Sequence, residues 1–499
     1  MTELTSKIKS GSTWLGIRFV VSGLFGIITM PLIARTLSVE EYGIYNILFA
    51  LITWISVLTG FGLPHVLQRF IPEAFQKEDY GLIKSLVKKG LLLRPLLSVL
   101  AIILVALFSG PVGNVLKIEG WKNYFLIFSL GIVCFIEIGL LGTVLNGLFL
   151  HKYAIISNIC WSACRMTLLL LVIFLEKGLT GILLVETISW AFWLGILFLF
   201  YHKFFLFRHK DVIDSPLPYR RFLRYGGFLF FSEFGNSVLG MATDLFVITM
   251  FLGPVAAGIY GFCDRIIRLF GRILPHSILR DIIRPVFFAR YSESQDPKEL
   301  EKMFNFLTKL AALFLFPLAV GTCVLGREFI LYGFGEKYLS AYIPLCIVIS
   351  FYAANAFVEP TGYILQSLEK VNIIFYSKIF AVYNLVGDLL VVKPFGIVGV
   401  ALVTSSAVLF KTLFCLYFAR RYTGLDIHVV GLLKIMVNSM LMGLILYFSR
   451  SYIDGIFSFI FAVITGSVAY LAICYLNKAF SVEERSQINK LFPLKLFSF

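Results

Sequence analysis

Leu37-Ser-Val-Glu-Glu-Tyr-Gly43-Ile44-Tyr45 and, 215 residues downstream, Leu252-Gly-Pro-Val-Ala-Ala-Gly258-Ile259-Tyr260 agree at four of nine positions. A second pair, Gly178-Leu-Thr-Gly181-Ile-Leu-Leu184-Val185 and Gly396-Ile-Val-Gly399-Val-Ala-Leu402-Val403, lies at an offset of 218, and Leu150-His-Lys152 echoes Leu368-Glu-Lys370 at the same offset. One such match is unremarkable in a chain this rich in Leu and Gly. Three at nearly one offset mark an internal repeat.

The repeat sits in a chain built for lipid. Of 499 residues, 59% are hydrophobic and 15% charged, with a mean hydropathy of +0.88, against about 45–50% apolar and about 25% charged in soluble domains. That excludes a soluble enzyme, a secreted disulfide scaffold and a disordered regulator. A membrane crossing needs about 20 mostly apolar residues, and fourteen such stretches run from 12–34 to 455–476. Period-two alternation is absent, so the fold class is all-α, a polytopic membrane helix bundle.

Six spans separate the two copies of each motif. An even number keeps both copies in one orientation, so the expected architecture is two parallel six-helix lobes plus two C-terminal helices. The expected divisions are an N-lobe over 1–205 (spans 1–6), a basic linker over 206–225, a C-lobe over 226–422 (spans 7–12), and spans 13–14 with the tail over 423–499. The linker carries Lys203, Arg208, Lys210, Arg220, Arg221 and Arg224 on and around it, with Pro216 and Pro218 inside, and reads as a hinge-like boundary.

Most of the 44 Lys and Arg fall on one side if the N-terminus is cytosolic, so both termini are expected inside, in a cytoplasmic (inner) membrane. The net charge of +15 is then the positive-inside bias, and no nucleic-acid partner is implied. The 8 Cys lie in apolar segments with no CxxC pair, and the 6 His show no metal-ligand spacing; no metal, cofactor or catalytic residue is expected. No Walker A sequence is present, and Gly333-Phe-Gly335 lacks the third glycine of a dinucleotide fingerprint.

Ala34-Arg-Thr-Leu37-Ser-Val-Glu-Glu41-Tyr42-Gly43-Ile44-Tyr45 after a first span, the loop Gly333-Phe-Gly335-Glu-Lys-Tyr338 followed by Ala341, and Phe395-Gly396-Ile-Val-Gly399-Val-Ala401 together resemble bacterial polysaccharide-export flippases. These are of the Wzx type, within the multidrug/oligosaccharidyl-lipid/polysaccharide superfamily. The resemblance covers the full length. It implies translocation of a polyprenyl-diphosphate-linked oligosaccharide from the inner to the outer leaflet for cell-surface polysaccharide synthesis. Membrane lipids and polysaccharide assembly proteins would be its other partners. Drug exporters of the same superfamily usually stop at twelve spans, which weighs against that branch.

Charges inside spans are costly and face protein or a watery interior, which marks them as candidates. Arg265, Arg268 and Arg272 recur at i, i+3 and i+7, on one face of span 8. Read functionally they form a guanidinium ladder that grips a diphosphate bidentately; read structurally, Arg272 and Arg268 are a snorkelling helix end. Arg18 in span 1 maps onto Glu233 in span 7 at the repeat offset. Arg165 and Lys411 join the candidate cationic set, although each could pair locally, as could Arg94. The acids Glu233, Asp244, Asp264, Glu137 and Glu359 are candidates for coupling or gating, with H+ or Na+ as the coupling ion; their structural reading is compensation of the arginines. Asp264 directly precedes Arg265, so the two side chains point about 100° apart and need not pair. Glu359 precedes Pro360, where a helix can break, and Asp388 near a span end reads as structural.

The expected function is therefore a lipid-linked oligosaccharide flippase working by alternating access, and not an enzyme. The rivals are a small-molecule or drug antiporter of the same fold, and an intramembrane polysaccharide polymerase or glycosyltransferase. Short outer loops with few acids disfavour the polymerase.

Overall fold

A computed structural model of the chain describes residues 23, 25–274, 296–480 and 484–485. Every regular element among them is helical. The order is α1 (Phe25–Thr36), α2 (Val39–Gly60), α3 (Leu63–Gln76), α4 (Tyr80–Leu107), α5 (Ser109–Leu116), α6 (Trp121–Gly147), α7 (His151–Phe174), α8 (Gly178–Tyr201), α9 (Tyr219–Val238), α10 (Met241–Leu252) and α11 (Pro254–Ile273). Then come α12 (Pro297–Phe334), α13 (Tyr342–Tyr352), α14 (Asn355–Ser367), α15 (Val371–Tyr376), α16 (Ile379–Thr423), α17 (Val429–Ser449) and α18 (Ile456–Asn477). The chain divides into two compact units, cut between Gly261 and Phe262 inside α11.

The protein is a multi-pass membrane protein. Ten helical stretches are long and apolar enough to cross a bilayer, eleven if α9 and α10, bent by 46°, form one span. The sequence predicts fourteen, and the difference has three physical sources. About half of span 1 lies outside the described residues, and the rest is the short helix α1. Span 8, on α11, carries Asp264, Arg265, Arg268 and Arg272, too many charges to read as a lipid-facing helix. Spans 11 and 12 fall on one continuous element, α16, whose 45 residues would reach about 68 Å if straight, twice a ~30 Å hydrocarbon core. It is not straight. Gly396 takes φ 58°, ψ −149°, a backbone that favours glycine. Across it Phe380 meets Phe414 and Tyr383 meets Phe410, with ring centroids 6.0 and 5.8 Å apart. Early residues face late ones, so α16 is an antiparallel helical hairpin.

The repeated motif begins a helix in both copies by different chemistry. Before α2, Ser38 Oγ accepts from Glu41 N at 3.1 Å while Glu41 Oε2 accepts from Ser38 N at 2.9 Å, a capping box that satisfies two donors at once. Before α11, Gly253 turns at φ 87° and Pro254 opens the helix, where its missing N–H costs nothing. The glycines then explain their presence. A Cβ on Gly43 would fall on the Pro254 carbonyl, and one on Gly258 would fall on the Val39 carbonyl. One turn further on, Gly261 packs against the Asn46 side chain. Residues 215 apart thus face each other, so α2 and the start of α11 run parallel and in register.

Each unit has one further packing feature. In the first unit, the segment after a short π turn (His202–Leu206) lies along the start of α4. Lys84 Nζ donates to Val212 O at 2.9 Å, Ser215 Oγ donates to Asp79 Oδ1 at 3.1 Å, Lys88 Nζ lies 3.2 Å from Asp214 Oδ2, and the His209 ring rests 4.0 Å from the Tyr80 ring. In the second unit, α17 and α18 share a core with α12 through Leu310, Leu313, Ile435, Met442 and Leu446, and Tyr470 Oη donates to Leu313 O at 2.9 Å.

Candidate substrate-handling site

Arg165, on α7, is drawn into a triad. Its Nε and Nη2 donate to Glu186 Oε2 and Oε1 on α8 at 2.9 and 2.5 Å, and Tyr45 Oη on α2 donates to Glu186 Oε1 at 2.7 Å. The guanidinium also lies over the Trp161 ring, 5.7 Å from its centroid. The arginine side chain is 15% exposed and the carboxylate 2%. A fork and a phenol together satisfy the buried carboxylate, which is what allows the charges to stay dry.

Arg94 is also buried, and it pairs locally. It donates to Ile136 O and Ser56 Oγ, both at 3.1 Å, and interacts electrostatically with Glu137 and Glu233. Glu137 on α6 is buried, and neither of its oxygens has a hydrogen-bond partner among the described residues. Glu233 on α9 is different: it is 43% exposed, with its Oε2 3.0 Å from His65 Nε2 on α3. The approach is set by Gly62, at φ 74°, where a Cβ would fall on the Gly226 carbonyl of α9. Asp244 on α10 is fully buried and accepts from Tyr260 Oη at 2.7 Å.

On α11, Arg268 Nε donates to Asp264 Oδ2 at 2.7 Å. The aspartate is 10% exposed, but the arginine is 56% exposed, and Arg265 beside it is half-buried. Asp264 thus finds its arginine one helical turn on, at i+4. Arg18 lies outside the described residues. Arg272 lies on α11, with its side chain outside the described part. Lys411 sits in the second half of α16, close enough to Lys378 for the two charges to repel. Glu359 is half-buried on α14, which runs through Pro360. The helical break falls earlier, between α13 and α14 at Ala353–Ala354.

The structure thus joins Arg268 with Asp264 and leaves Arg165 engaged elsewhere. Sequence reasoning misses Tyr45, Tyr260 and His65. A signal exists for the two tyrosines: both close the repeated Gly-Ile-Tyr, and both donate to a buried carboxylate at 2.7 Å. It also misses that Asp388 is fully buried, accepting from Asn384 Nδ2 at 3.3 Å. That pair is an i, i+4 contact readable from spacing.

A family model described as polysaccharide biosynthesis protein matches residues 8–287. Teichuronic acid biosynthesis protein TuaB of Bacillus subtilis is 27% identical over 189 residues, which is 37% of this chain and 36% of that protein. A putative O-antigen transporter of Shigella flexneri is 23% identical over 423 residues, 81% of this chain and 96% of that protein. Among solved structures, the lipid II flippase MurJ in an inward closed conformation superposes with a TM-score of 0.68 at 17% identity, over 92% of this chain and 98% of that one. At that identity the likeness speaks for the fold.

Proposed function

This chain belongs to the polysaccharide biosynthesis protein family, and from that premise we propose that it flips a polyprenyl-diphosphate-linked oligosaccharide from the inner to the outer leaflet by alternating access. The Lys and Arg distribution supports a cytoplasmic membrane with both termini in the cytosol. The observation that carries the reading is the polar face of α11, where Arg268 is 56% exposed inside a membrane bundle. A guanidinium so exposed is stable against water and not against hydrocarbon. An exposed planar fork suits a diphosphate, which accepts two parallel charged hydrogen bonds. Arg265, half-buried on the same face, would continue the grip, with Arg18 and Arg272 as further members.

Alternating access has its own support. Gly43 and Gly258 each meet the backbone opposite, so the two copies of the repeated motif meet each other, as expected where two repeats rock against one another. Among the acids, Glu137, Asp244 and Glu359 are the proposed coupling or gating groups, with H+ or Na+ as the ion. The test is surface-glycan display in cells lacking the native protein, with membrane abundance measured alongside. Arg265→Ala is expected to abolish display at normal abundance, and Arg265→Lys to retain part of it. Normal display with Arg265→Ala at equal abundance would refute the reading.

A further inference from the structure

The exposed pair His65–Glu233 is not needed to hold a diphosphate, and its surroundings differ from those of α11. Three residues from the α2–α3 segment, Trp54, Phe61 and His65, face three from α9, Phe230, Glu233 and Phe234. Trp54 meets Phe234 edge-on, with ring centroids 5.5 Å apart, and Phe61 stacks on Phe230 at 5.3 Å with an interplanar angle of 24°. His65 and Glu233 are 33% and 43% exposed, and Phe61 is 60% exposed. A carboxylate cannot hold that exposure against hydrocarbon, so this face borders water. It combines flat apolar rings with a carboxylate whose second oxygen has acceptor capacity to spare.

Two ligand chemistries suit aromatic rings beside a carboxylate: an organic cation, through cation–π attraction, and a sugar ring, whose apolar C–H face lies on an aromatic while its vicinal hydroxyls donate to the carboxylate. Geometry and the family decide between them: Glu233 Oε2 already takes His65, its other oxygen is placed to accept from a hydroxyl, and a polysaccharide biosynthesis protein handles sugars. We propose that Trp54, Phe61, His65, Phe230, Glu233 and Phe234 form a subsite for the glycan headgroup, distinct from the arginines that would take the diphosphate. The inference rests on the flippase reading and names the part of the substrate that this face recognises.

The experiment uses the full-length protein in lipid nanodiscs and two probes, a bare polyprenyl diphosphate and the same lipid bearing one N-acetylhexosamine. The wild-type protein is expected to bind the sugar-bearing lipid roughly ten-fold more tightly, on the order of one charged hydrogen bond. Glu233→Gln and Trp54→Ala are each expected to erase that preference. Equal binding of the two lipids by the wild-type protein would overturn the glycan subsite and leave the flippase reading standing. So would an intact preference in both variants, or stronger displacement by tetraphenylphosphonium than by free N-acetylhexosamine. If neither lipid binds the wild-type protein, the flippase reading itself falls. Because the wild-type comparison is decisive alone, a variant that fails to fold does not shelter the proposal.

Discussion

Arg165 and Glu186 come from two helices and are nearly dry, 15% and 2% exposed. Arg268 and Asp264 come from one helix, a turn apart, and the arginine is more than half exposed. In the sequence these are the same kind of object, a cation and an anion inside apolar stretches. What separates them is the number of partners. Glu186 accepts three hydrogen bonds from two other helices, so the triad fastens α2, α7 and α8 together. Asp264 accepts from its own helix, so the pair fastens no second helix, and the exposed arginine keeps N–H donors for a ligand while it still holds the aspartate. A charge inside a span is therefore a question with two answers, and its exposure decides between them.

The contrast breaks first on the dry side. Glu186→Leu strands a buried guanidinium, a loss of about 3–5 kcal/mol for a broken buried pair, and is expected to empty the membrane of folded protein. Arg165→Met with Glu186→Leu and Tyr45→Phe should restore abundance, because an apolar cluster replaces the whole polar triad at little net cost. Normal abundance of the single variant in quantitative immunoblots would remove the distinction. On the other side the outcome should invert: Arg268→Lys, which can still pair with Asp264, keeps abundance and loses most of the glycan display, since an ammonium lacks the planar fork. A fall in abundance matching the fall in display would make Arg268 structural too.

Smaller effects sharpen the same line. Tyr45→Phe deletes one donor to Glu186 and leaves both arginine bonds, so thermal unfolding in detergent should show a loss of about 1–2 kcal/mol. A larger loss would make the phenol, not the fork, the main partner. The smallest effect belongs to Glu73 on α3, outside the spans. The hydrogen bond from Lys77, together with Arg221 nearby, holds its carboxyl below the usual value of 4.5. A depressed carboxyl contributes stability above its unfolded pKa and loses it as pH falls through the lowered folded value. Glu73→Gln should thus differ slightly from wild type at neutral pH and converge with it as pH falls past the usual 4.5 and through the lowered folded value. Divergence that grows on acidification would reverse the sign.

The sequence is legible where local chemistry decides. Ser38 and Glu41 announce the start of α2, and the paired Gly43 and Gly258 announce a close approach through their repeat alone. Pairing across helices is not legible. Arg165 and Glu186 lie 21 residues apart, and only the register of α7 on α8 brings them together. Spans 11 and 12 read as two stretches in the sequence, and the turn between them is the short Lys393-Pro394-Phe395-Gly396. The link from Asp264 to Arg268 is available in the i, i+4 spacing; the adjacent Arg265 hides it.

The strap from Phe207 to Pro218 has a consequence for proteolysis. It is rich in trypsin targets, with Arg208 and Lys210 in its first turns, and a connection of that composition ordinarily invites nicking at its tip. Cleavage, however, needs a stretch of backbone drawn out of the fold, and here Val212 accepts from Lys84 of α4 and Ser215 donates to Asp79 just before it. The rate of nicking therefore measures how often the strap lifts from α4, since cleavage tracks the population of the opened form. A protease added from the side bearing the strap becomes a clock for that motion, readable without any substrate.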